Sequence, residues 1–127
     1  MKDKTLNIFV FIIGGLFLAI GFVGIFSPEN FANGLGLAFA NAEGPGTVRA
    51  MIGAHYVAMG GVCIFATNGG IPILLLPVGA IEVVMVIARG IAAMNGEFGP
   101  ATIVPTIIEI SAAIILITAA KKSSSTK

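Results

Sequence analysis

The stretch PILLLPVGAIEVVMVIARGIAAM, Pro72–Met94, decides the fold. It exceeds the roughly 20 apolar residues that an α-helix needs to cross a hydrocarbon core. Two opposite charges, Glu82 and Arg89, interrupt it. Three more runs of this kind flank it, at about residues 6–26, 48–67 and 101–120. The expected architecture is all-α, a four-transmembrane-helix bundle formed by residues 1–120. A polar tail, KKSSSTK at 121–127, is expected to be disordered.

Composition agrees with this reading. Of 127 residues, 57% are hydrophobic and 10% charged, against about 25% charged in soluble domains. The mean hydropathy is +1.03. A net charge of +1 gives no reason to expect nucleic acid. The single cysteine, Cys63, excludes an internal disulfide and a CxxC metal site. MKDK followed by apolar residues resembles a signal peptide. The run is long for an h-region, however, and no A-x-A site follows directly behind it, so it is read as a retained first helix.

Charge placement sets the threading. Lys2 and Lys4 precede the first run, and Lys121, Lys122 and Lys127 follow the last. Glu29, Glu43 and Glu97 fall in the first and third connections. Four spans bring both termini to one side, and the positive-inside rule makes that side cytoplasmic. The expected location is a bacterial inner membrane.

The connections carry their own signals. Ser27-Pro28 offers an N-cap and an N1 proline for a short interfacial helix between the first two spans. Phe31, Leu35, Leu37 and Phe39 would give it an apolar side to lie on the bilayer. EGPG (residues 43–46) reads as a turn. It lacks the GK[ST] ending of a phosphate loop. Pro105, near the start of the fourth run, is expected to kink it. Gly14 and Gly21, and again Gly53 and Gly60, recur at a spacing of seven. Such glycines serve close helix contact in lipid, a reading preferred here over a hinge or groove.

Five ionisable residues lie within the runs: Arg49, His55, Glu82, Arg89 and Glu109. Each is costly in hydrocarbon and should face protein or water. With about 1.5 Å of rise per residue, Arg89 lies roughly 9 Å below Asn95, His55 and Glu109 at roughly 12–13 Å, and Glu82 near 19 Å. Arg49 lies close to the surface. Four of the five therefore belong to the outer half, which implies an outward-biased polar pocket. Side chains lean toward their own helix N-terminus, so Arg89 and Glu109 on antiparallel helices converge, and an ion pair between them is expected. Glu82, the deepest, is expected to be neutral. Arg49, Gly53, Tyr56, Gly60 and Cys63 fall on one stripe of the second run, which would put Arg49 and Tyr56 in the pocket wall. His55 points away, toward another helix or a neighbouring subunit. With no second histidine it is a poor metal or haem ligand, and no cofactor is expected.

RAMIGAHYVAMGGVCIFA (49–66), ARGIAAMNGEFGP (88–100) and IIEISAAIIL (107–116) resemble, in order and spacing, a bacterial family of small four-span membrane proteins. That family is catalogued as a domain of unknown function. GLFLAIGFVGIFSPENFANGLGL (15–37) is similar to its opening. The resemblance implies the four-span layout and carries over Arg49, Gly53, Arg89, Gly96 and Glu109. Asn95 stands where the family pattern has an aspartate. DoxX-like proteins share the layout less closely. No activity follows from either.

With no nucleophile–base or metal constellation, the residues favour a non-enzymatic accessory or self-associating subunit, in a homo-oligomer or larger membrane complex. The runner-up is a binder or carrier of a small anionic amphiphile, with Arg49 and Arg89 holding its head and Tyr56 and apolar walls around it. A proton-coupled transporter using Glu82 and Glu109 comes third. An intramembrane enzyme using His55 or the glutamates comes last, since no bond to break is indicated.

Overall fold

The computed structural model describes residues 4–124. Lys2, Lys127 and the end of the polar tail lie outside the described residues. Among the described residues there is no strand. Four helices are long and apolar enough to cross a membrane: Lys4–Phe26, Gly44–Asn68, Pro72–Met94 and Pro100–Lys122. They are the first to fourth spans, and the chain is a helical bundle suited to a membrane. The short helix Pro28–Gly34 stands between the first two.

Helix ends follow the local chemistry. The short helix and the third span each close on a left-handed glycine, Gly36 at φ +72° and Gly96 at φ +75°. There the Leu37 and Glu97 amides donate back to the Ala32 and Ala92 carbonyls. This is the glycine-terminated cap that satisfies the last turn's carbonyls. Ser27 takes the N-cap position of the short helix, but its side chain makes no capping bond.

Two local expectations need correction. EGPG is not a turn: the second span already begins at Gly44, with Pro45 in its first turn, a position where a missing N–H costs nothing. Within that span Val48–Gly53 is a π-helical turn. The tail does not become irregular at Lys121, because the last helix runs through Pro105 and on to Ser124.

The spans pack as two antiparallel pairs, first with second and third with fourth. Glycine makes the first pair intimate. A methyl group on Gly21 would stand 2.6 Å from the Val57 nitrogen, and one on Gly60 would stand 2.6 Å from the Gly14 carbonyl oxygen. Backbone-to-backbone approach of this kind gives packing energy where lipid removes the hydrophobic drive. Gly79 does the same for the second pair, beneath Ile117.

The shared core joins Val10, Ile13 and Phe17 to Met59, Cys63, Ala66, Leu75, Val78, Ala112, Leu116 and Ala119. All lie toward the end of the bundle that carries the chain termini. The third span contributes no buried residue after Glu82, and the fourth none before Glu109. The two pairs therefore part in the other half, the one that carries the short helix. Outward-facing isoleucines such as Ile87, Ile91, Ile103 and Ile107 are exposed, as a lipid-facing surface requires.

Candidate binding cavity

Where the pairs part there is a half-open cavity of about 490 Å³. Its walls come from all five helices. The first span supplies Ile20, the second Ile52 and Tyr56, the third Met85 and Arg89, and the fourth Pro105, Ile108 and Glu109. The short helix and its end roof it with Asn30, Phe31, Gly34 and Leu35. Phe31 and Leu35, expected to rest on the bilayer, thus face inward instead. They fill part of the gap that the diverging pairs would otherwise leave. Phe39 lies against Gly44, and Leu37 is exposed.

The charged feature of the cavity is one ion pair. The Arg89 Nε–H donates to Glu109 Oε2 at 3.2 Å, and Nη2–H donates to Oε1 at 3.0 Å. Glu109 is 2% exposed and Arg89 28%. This is the interhelical pair that the opposite lean of the two side chains implies. The forked geometry uses both carboxylate oxygens but leaves further N–H donors on the guanidinium. Tyr56 completes the wall, held edge-on to Phe17 with ring centroids 5.6 Å apart.

The remaining candidates lie elsewhere. Arg49 is exposed, and its Nη1–H donates to the Ile25 carbonyl at the end of the first span. It does not line the cavity. The cause is the π-helical turn: its wider winding takes up about one extra residue, or about 100° of rotation. Gly53, Gly60 and Cys63 keep their buried stripe, while Arg49, at the start of that turn, leaves it. His55 is exposed on the outer surface of the second span.

Glu82 is fully buried, beneath the cavity rather than in its wall. Neither of its carboxyl oxygens has a hydrogen-bond partner. So the structure brings Tyr56, Arg89 and Glu109 together at the cavity, sets Glu82 below them, and leaves Arg49 and His55 outside. Among the described residues no three His, Cys, Asp or Glu side chains form a metal-binding set.

The sequence reading missed the apolar majority of the lining. Met85 was within reach, since it sits between Glu82 and Arg89 on one helical face. Ile20, Asn30, Phe31 and Ile52 come from separate elements, and no local pattern assembles them. No family model matches the chain, and no curated protein or solved structure matches it.

Proposed function

We propose that this is a small membrane protein that binds a compact, largely apolar molecule carrying one polar group. The cavity carries this reading. Its walls are mostly apolar, it is large enough for a small ligand, and it presents the fixed Arg89–Glu109 pair. Fixed donors among apolar walls orient a ligand without needing its full charge. An anionic head is poorly served here, because Arg49 turns away and the Arg89 charge is already matched by Glu109.

Gly34 gives a direct test. It lines the cavity, and a side chain built on it meets nothing within 4 Å. Gly34→Leu should therefore fill the space without disturbing the fold. Neutral triphenylphosphine oxide should bind the wild-type protein in detergent and lose most of that affinity in Gly34→Leu. Equal uptake by both proteins, or none by the wild type, would remove the proposal.

A second reading, an accessory or self-associating subunit, draws on His55. An imidazole exposed on the membrane-facing side of a span is costly against lipid, and a neighbouring chain would cover it. Native mass spectrometry from a mild detergent tests this: the wild type should appear with a partner or as an oligomer, and His55→Leu should change that state. Within either reading, Lys4, Lys121 and Lys122 support cytoplasmic termini by the positive-inside rule, and a bacterial inner membrane is the location proposed with them. The motif resemblance is what supports membership of the small four-span family.

A further inference from the structure

The binding reading gives Glu82 no task, yet Glu82 is the most unusual group in the bundle. It is wholly buried at the level where the core gives way to the cavity, and both its oxygens lack partners. The groups within electrostatic reach are Tyr56 and Cys63 of the second span and Glu109 of the fourth. Arg89 lies two turns along its own helix. The first span brings no ionisable side chain to this level. The cluster thus holds two carboxyl groups and one guanidinium, and both forked bonds of that guanidinium go to Glu109. One carboxyl group is left over.

A buried carboxylate with no counter-charge is strongly disfavoured. Two things can balance it: a proton on Glu82, or a positive charge brought by a ligand. The cavity is close enough for the second. Met85, one turn from Glu82 on the same helix, lines it, as does Tyr56. One turn is about 5.4 Å, a distance at which charges interact strongly in a medium of low polarity. The aromatic faces of Phe31 and Tyr56 suit a cation as well as an apolar group. Arg89 opposes this little while Glu109 neutralises it.

Resting on the binding reading above, we propose that the ligand is a lipophilic monocation and that it enters in exchange for the proton on Glu82. In the exchange the Glu82 O–H bond breaks and its electron pair stays on the carboxylate. The proton leaves to water through the cavity mouth, and the cation takes over as counter-charge. The net charge inside the bundle does not change, and nothing is oxidised or reduced.

The test uses three probes of similar shape and different charge: tetraphenylphosphonium, tetraphenylborate and neutral triphenylphosphine oxide. Each is titrated into the full-length protein in weakly buffered detergent, with Gly34→Leu as the blank for micelle uptake. The phosphonium should bind at least tenfold more tightly than the borate and release close to one proton per molecule bound. Glu82→Gln should lose the proton release and bind the phosphonium at least tenfold more weakly. It should keep its affinity for the phosphine oxide, which also reports that it is folded. Should Glu82→Gln not fold, the proton count on the wild type still decides. Phosphine oxide binding without preference for the phosphonium, or phosphonium binding without proton release, overturns this inference and leaves the cavity reading standing. Failure of all three probes overturns both.

Discussion

Arg89 and Glu109 join the third and fourth spans by two bonds, 3.2 and 3.0 Å long, at the level where the packed core of the bundle ends. The pair closes the cavity on one side and fixes the register of the two helices on the other. Its carboxylate is 2% exposed, so the two partners are unequal in what they lose when separated.

Removing either partner should therefore cost far more than removing both. Arg89→Gln leaves a buried carboxylate without its counter-charge, and about 3 kcal/mol of stability should go with it. Glu109→Gln should cost less, because the guanidinium retains access to water. The double variant, with two neutral amides able to bond each other, should lie within about 1 kcal/mol of the wild type. Unfolding in detergent–SDS mixtures gives all four values of the cycle. Additive losses would show that the pair does not act as a unit.

Glycines on the first and second spans should separate sharply into two classes. A Cβ on Gly21 or Gly60 falls at 2.6 Å from backbone atoms of the facing helix, whereas one on Gly15 or Gly61 meets nothing within 4 Å. Gly21→Ala and Gly60→Ala should each destabilise by about 1–3 kcal/mol as the helices are forced apart. Gly15→Ala and Gly61→Ala should be neutral or slightly stabilising, since alanine is the better helix former. Thermal melts of the four variants in one detergent decide the matter. Equal losses at Gly15 and Gly21 would contradict the interface.

How much of this was legible beforehand depended on distance along the chain. The spans were readable because each is a continuous apolar run. The Arg89–Glu109 pair was readable because a short turn fixes the two helices antiparallel, so depth and lean can be counted from Asn95. The role of Arg49 was not, because a single π-helical turn, Val48–Gly53, resets the register. Nothing in the residues VRAMIG announces that turn. The roof of the cavity was hidden for another reason. Phe31 and Leu35 look equally suited to lipid and to protein, and only the divergence of the two helix pairs selects protein.

Arg49 should behave as a helix-end ligand and not as a ligand-binding residue. Its guanidinium meets the Ile25 carbonyl, one of the last carbonyls of the first span, where a cation also complements the helix dipole. Because the side chain is exposed, Arg49→Gln should cost about 1 kcal/mol or less. Binding of triphenylphosphine oxide should be unchanged in this variant. A clear loss of binding with the fold intact would return Arg49 to the cavity.

The threading makes a final prediction that rests on charge alone. Lys4, Lys121 and Lys122 mark one end of the bundle, and Glu29, Glu43 and Glu97 mark connections at the other. Positive charge is retained on the cytoplasmic side during insertion, so the turn containing Glu97 should face outward. Cys63 is buried, and replacing it by alanine leaves a chain free of cysteine. In that background, Glu97→Cys should react with a membrane-impermeant thiol reagent on intact cells. Lys4→Cys should react only after the membrane is opened. The reverse pattern would invert the orientation without touching the fold. Labelling of both positions from outside would contradict the four-span threading itself, because the first and third spans would then have to enter the bilayer from opposite faces.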